Sequence, residues 1–259
     1  MKSSIMVNNK YRVVSIILIL ISWELLAYIY SPLVIPSIKF VFKAIIDILS
    51  NKECLKQIIV TTKRLTIALG ISISLGSILG LLIGSSKKLL IIFKPILSIM
   101  QSVPPISWLV LAIIWFGLEG KASIFIVVIS TLPMMIINLI QGINNVDCKL
   151  IEMGNVFKFS KQKMIINVMI PSIIPYFQSA LQIVIGLGWK IVIMGEVLSS
   201  SNGIGGEITN ARLNIETNYI FAWTIIIVLL FYGTDKLVLY IFNKKLKGDR
   251  YDFKNRRFE

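Results

Sequence analysis

The chain has no histidine, only two cysteines, and 13 acidic residues against 27 basic ones. Without histidine a Ser-His-Asp arrangement is excluded, and neither Cys54 nor Cys148 has the imidazole that would activate a thiol nucleophile. The two cysteines are far apart and lack metal-ligand spacing, so neither a metal site nor a disulfide is expected. No catalytic residue and no metal ligand is predicted. Walker A is also missing: Gly186-Leu187-Gly188-Trp189-Lys190 lacks the required spacing and lies inside an apolar run, so the chain does not cradle ATP by that route. Charge is scarce at 15% of residues, and no internal repeat, low-complexity stretch or domain boundary interrupts the 259 residues.

Apolar length is what the sequence has instead. With 56% hydrophobic residues and a mean hydropathy of +0.81, the chain suits a bilayer rather than water. Crossing the hydrocarbon core takes about 20 apolar residues. Six stretches qualify, near residues 13–30, 65–84, 92–116, 122–142, 173–195 and 219–242. An all-α, polytopic membrane protein of one domain follows, with core spans over about 65–242. The first stretch follows Lys2, Lys10 and Arg12 but is longer than a signal h-region and has no clear cleavage site, so it reads as an uncleaved span. Pro104 and Pro105 should kink or split the third. Ser72, Gly76, Gly80 and Gly84, each four apart, should make a small-residue groove on one face of the second.

The excess charge, 27 − 13 = +14, flanks the apolar runs, which reads as topology information and not as a nucleic-acid footprint. An N-terminus inside places inside Lys87, Lys88, Lys94, Lys149, Lys158, Lys161, Lys163 and the basic tail from Lys244 to Arg257. Residues 31–64 contradict the rule, because they fall outside yet hold Lys39, Lys43, Lys52, Lys56, Lys63 and Arg64. Lys43 and Asp47, one turn apart among apolar residues, suggest an amphipathic helix there.

The long polar interruption on the inner side is residues 143–170. Asp147 can cap a helix through Leu150 to Met153, Gly154 permits close backbone approach, and Ser160 can cap a second helix ending before Pro171. An inner loop of folded helices is what force transfer from a soluble partner needs. Within the spans, Glu24, Lys190 and Glu196 are charges that require a partner or a hydrated cavity. Lys190 and Glu196, six apart, project from nearly opposite helix faces and do not suit each other. Lys190 can pair with Glu24 as packing glue or face a translocation path.

The run Glu152-Met153-Gly154, then Lys158-Phe159-Ser160-Lys161, then Ile170-Pro171, resembles the EAA loop of binding-protein-dependent ABC transporter permeases. The resemblance extends from Ile35-Pro36-Ser37 through Gln101-Ser102-Val103-Pro104-Pro105 and Trp115-Phe116-Gly117 to Trp189 and Gly195-Glu196-Val197, and is nearest the nitrate, sulfonate, taurine and bicarbonate branch. It implies a type I importer permease fold with cytosolic coupling helices and a second permease copy or paralogue. It also implies a cytosolic ABC ATPase dimer that binds the ATP and Mg, this chain holding no cofactor, and an extracytoplasmic solute-binding protein. The setting implied is a bacterial plasma membrane with both termini cytosolic. Glu152 and Gly154 inherit the coupling role, and Trp189, Lys190, Gln182 and Glu196 on the fifth span become candidates for the path of a small anion. One departure stands out: Lys158 occupies the position of the family's usual glycine. A heterocyclic vitamin precursor is an alternative cargo. A membrane enzyme lacks its acids and bases here, and a passive channel would not need the folded inner loop.

Overall fold

The computed structural model describes the backbone of residues 2–199 and 202–255, and the side chains of 11, 14–199 and 202–240. Among these residues all regular structure is helical. Arg256 and Arg257 lie outside the described residues, as do the side chains of Lys2, Lys10, Arg12 and the tail from Lys244 to Lys254. In chain order the helices are α1 (Lys2–Ile29), α2 (Ile38–Ser50), α3 (Lys52–Gly84), α4 (Lys87–Ser102), α5 (Pro105–Phe116), α6 (Gly120–Asn144) and α7 (Cys148–Val156). Then come α8 (Lys161–Met164), a π turn (Ile165–Met169), α9 (Ile170–Ser199), α10 (Ile204–Leu213) and α11 (Thr217–Asn255).

Among the described residues four helices are long and apolar enough to cross a bilayer: Lys52–Gly84, Gly120–Asn144, Lys161–Ser199 and Thr217–Tyr240. Helices α4 and α5, bent by 90° across Val103 and Pro104, make a fifth if taken as one broken span, and Val14–Ile29 is a shorter apolar helix. The six expected stretches are therefore four continuous helices, one broken and one short. The break falls at the two prolines because Pro104 cannot continue the α4 ladder, while Pro105 suits the first turn of α5.

Helices α3, α6 and α9 form the centre. Ser72, Gly76, Gly80 and Gly84 face Thr131, Met135, Leu139 and Ile143 of α6, both series in steps of four. The Thr131 hydroxyl donates to Ser72 Oγ at 2.8 Å. A methyl group on Gly76 would lie 2.8 Å from Met135 Cβ, and one on Gly80 would lie 2.9 Å from Leu139 Cβ. Backbone proximity at this seam thus depends on the missing side chains, as the spacing predicted. Gly188 of α9 in turn accepts Leu65 and Leu69 of α3.

Two boundaries differ from expectation. Helix α3 starts at Lys52, not near 65, with Asn51 Oδ1 accepting from Glu53 N at 2.8 Å and Glu53 in the positive first turn. Its 33 residues span about 50 Å against a core of about 30 Å, so one end stands clear of the hydrocarbon. That end carries Lys52, Lys56, Lys63 and Arg64, of which Lys56 pairs with Glu53 at 2.7 Å and Arg64 with Glu196 at 2.7 Å, while the excess of cations over residues 31–64 stands. The amphipathic segment expected around Lys43 is α2, whose Val41, Ala44 and Ile48 are buried while Lys43 is exposed.

The second difference is at Pro171. The helix capped by Ser160 does not end before it; α8 continues through the π turn into α9 as one 39-residue rod. A proline lacks the N–H that would bond the carbonyl four residues back, and the wider π turn over Ile165–Met169 accommodates that loss without a break.

Candidate coupling loop and a buried charge pair

Helix α7 forms as the sequence indicates, with Asp147 Oδ1 accepting from Lys149 N at 2.9 Å. Gly154 is buried, and a methyl group there would lie 2.6 Å from Met164 Cε, so the glycine lets α8 pack against α7. Ser160 Oγ accepts from Lys163 N at 3.3 Å and starts α8. Leu150, Met153 and Phe157, three and four apart, leave an apolar stripe exposed on α7, and Glu152 is exposed on another face of the same helix. The loop is thus a short rigid helix that presents apolar side chains to solvent at one end of the α8–α9 rod.

Lys158 stands at φ +51°, in the left-handed region. Phe159 N donates to Gly154 O at 2.9 Å and Lys158 N to Asn155 O at 3.0 Å, the pair of bonds that closes a Schellman end. The turn therefore keeps the geometry a glycine would serve, and the lysine carries the strain of its Cβ, about 1–2 kcal/mol. Lys158→Gly should accordingly stabilise the loop by about 1 kcal/mol, seen as slower hydrogen exchange at the Phe157–Phe159 amides; unchanged or faster exchange would contradict this.

The candidates on α9 fall into two groups. Trp189 is 2% exposed and its Nε1 donates to Thr234 Oγ1 at 3.0 Å, and Glu196 is 0% exposed. Glu196 is thus enclosed within the chain, while Trp189, nearly so, still lines a cleft beside Lys190. Gln182 is half-buried and Lys190 is exposed. Glu24 does not pair with Lys190: its Oε2 accepts from Ile38 N at 3.2 Å, tying α1 to the start of α2.

Glu196 belongs to a network that sequence reading missed. Arg64 Nη1 donates to Glu196 Oε1 at 2.7 Å, while the Thr61 hydroxyl, 2.7 Å away, and Gly205 N, 3.1 Å away, donate to Oε2. Arg64 also donates to Asn202 O at 2.9 Å, Ile204 N donates to Thr61 Oγ1 at 2.8 Å, and Gly203 N donates to Gln57 Oε1 at 2.7 Å. The carboxylate thus sits at the positive N-terminus of α10, which suits its charge. Gly203, at φ +94°, has no room for a side chain: a Cβ would overlap the Glu196 carboxylate, and one on Gly205 would overlap Glu196 Cβ. This cluster clips α3, α9 and α10 together at the end of the rod opposite α7. The available sequence signal was Gly203-Ile204-Gly205-Gly206 soon after an intramembrane acid; nothing local points to Arg64, 132 residues earlier.

A bundle of apolar helices with a broken span and a short helical loop at one end defines the class: a polytopic membrane protein. Residues 72–247 match the family of binding-protein-dependent transport system inner membrane components, and the chain belongs to that family. It is 29% identical over 250 residues to MJ0413 of Methanocaldococcus jannaschii, provisionally named an ABC transporter permease, covering 93% of this chain and 94% of that one. It is 28% identical over 201 residues to SsuC of Bacillus subtilis, provisionally named an aliphatic sulfonates transport permease, covering 78% and 73%. With the nitrate import permease NrtB of Synechococcus elongatus it shares 31% identity over 155 residues, 60% of this chain and 56% of that one. The fold resembles a chain of the MetNI methionine ABC transporter in inward facing form, with a TM-score of 0.55 at 17% identity, covering 74% and 99%. The chain is thus a permease subunit of an ABC importer with a type I permease fold, a transport component that crosses the membrane more than once.

Proposed function

We propose that the chain forms, as one domain with a second permease copy or paralogue, the path by which a small anion enters the cell, driven by a separate ATPase dimer that binds the ATP and Mg. Relatives named for sulfonate and nitrate transport support an oxyanion cargo. The observation that carries the coupling role is the exposed stripe of Leu150, Met153 and Phe157 on a helix packed, through Gly154, onto a rod continuous with α9. An exposed apolar stripe on a cytosolic helix suits burial in a partner, and the continuous rod suits passing the partner's motion into the membrane. Glu152, Met153 and Gly154, with Lys158 to Lys161 and Ile170-Pro171, are then the coupling residues. An extracytoplasmic binding protein delivers the solute to the other side. Of the α9 candidates, Gln182 and Lys190 remain open to the solute.

This reading places both termini and residues 143–170 in the cytosol of a bacterial cell. The chain should copurify with an ABC ATPase, and a Lys161→Cys probe in a Cys54→Ser, Cys148→Ser background should resist an impermeant thiol reagent in intact cells. Ready labelling of that probe would overturn the orientation, and no association with an ATPase would overturn the coupling role.

A further inference from the structure

Helices α4 and α6 enclose a cleft of about 320 Å³ whose floor is the buried pair Leu97 and Ile140. Its polar lining is Lys94 and Ser98 from α4 with Gln141 and Asn144 from α6. Four-residue spacing puts Lys94 and Ser98 on one face of α4, and three-residue spacing puts Gln141 and Asn144 on one face of α6. Further along, Gln101 Nε2 donates to Met134 Sδ at 3.3 Å; these residues lie seven beyond Lys94 and seven before Gln141, so the two faces still meet there. No carboxylate lines the cleft. All four polar side chains are exposed, and among the described residues none has a hydrogen bond or ion pair within the chain, so an ammonium, a hydroxyl and two carboxamides face water or a ligand.

Two other clefts make the comparison. Lys190 lines one of about 350 Å³ between α9 and α11, but its other lining residues are Gly186, Ile193, Ile227, Val228, Phe231 and Trp189, whose N–H is turned to Thr234. That cleft offers a charge and no further free donor. Another, of about 390 Å³, is lined by Glu207 and Glu216 and would repel an anion. Lys94 alone of these combines a cation with uncharged donors, the complement of an oxyanion. Lys94 lies seven residues beyond Lys87, near the end of α4 that carries Lys87 and Lys88, where its ammonium can reach water and a dissolved anion.

We propose that the α4–α6 cleft is a binding station for an oxyanion, with Lys94 as countercharge and Ser98, Gln141 and Asn144 as hydrogen-bonding groups, and that the anion is the transported solute. The identity of that anion rests on the importer reading. The same chemistry would also hold a phospholipid phosphate, so the test separates the two sources.

The full permease, assembled with its ATPase, carries Cys54→Ser, Cys148→Ser and Ser98→Cys. It is reconstituted in phosphatidylcholine with or without phosphatidylglycerol and opened to reagent on both sides. Labelling by the anionic sulfonatoethyl methanethiosulfonate should outpace the cationic trimethylammonioethyl reagent by roughly ten-fold, once their intrinsic reactivities are normalised on a free thiol. Lys94→Gln should erase that preference and Lys94→Arg should keep it; because the readout is a ratio on one sample, loss of yield does not confound it. Nitrate or ethanesulfonate should slow labelling in both lipid mixtures. Equal rates for the two reagents, or indifference to Lys94→Gln, would overturn the station. Protection by phosphatidylglycerol alone would make it a lipid seat and overturn the transport role. Charge-selective, nitrate-protected labelling in a complex that takes up no anion would keep the station and overturn the importer reading instead.

Discussion

Replacing Arg64 by methionine should destabilise the purified protein by about 3–5 kcal/mol, because it strands a carboxylate with 0% exposure. Thr61 and Gly205 would still donate to one oxygen of Glu196, but they carry no countercharge. The reverse change should cost less. Arg64 is 14% exposed, so in Glu196→Met its guanidinium keeps a route to water and its bond to Asn202 O. The double variant Arg64→Met with Glu196→Met should recover most of the loss, since apolar side chains of similar volume often replace a buried ion pair at little cost. Thermal unfolding in detergent, followed with the yield of monodisperse protein, distinguishes these cases. A single Arg64→Met variant within about 0.5 kcal/mol of the parent would show that the pair is solvated and holds nothing together.

The second large effect is expected at the other end of the rod. Glu152→Lys reverses an exposed charge on α7 and touches no core side chain, so folding should survive. Transport should fall by at least roughly ten-fold, equivalent to about 1.4 kcal/mol of lost docking. Phe157→Ala, which shortens the stripe at a residue 69% exposed, should act in the same direction. Parallel measurement of membrane abundance and uptake in cells separates docking from stability. Full uptake in both variants would return α7 to the role of a solvated surface helix.

Much of the geometry was legible where local chemistry governs it. Gly76, Gly80 and Gly84 announced a groove on α3 because small residues every four positions let another helix come close, but that α6 fills it is not a local property. Asp147 and Ser160 announced their caps, because these are properties of a few adjacent residues, whereas the left-handed turn at Lys158 was not legible from a lysine, which locally disfavours it. The first residues of α3, Lys52 to Arg64, were hidden for the opposite reason. Lys52 to Arg64 read as a polar connection by hydropathy, yet stay helical on the cap from Asn51 and on charges that find Glu53 and Glu196. Periodicity places Trp189 and Glu196 on faces of α9 but cannot say that Thr234 covers one and Arg64 the other. Pro171 misled in the same manner: the proline rule is local, and a π turn in front of it satisfied the rule while the helix continued.

The most direct test of the importer reading is uptake of labelled nitrate or ethanesulfonate into proteoliposomes holding this permease, its ATPase and its binding protein. Uptake should require ATP and all three components, and should collapse in Glu152→Lys while the assembled complex persists. Anion flux through the permease alone, equal with and without ATP and unaffected by Glu152→Lys, would contradict the coupling role of α7 and show a passive channel.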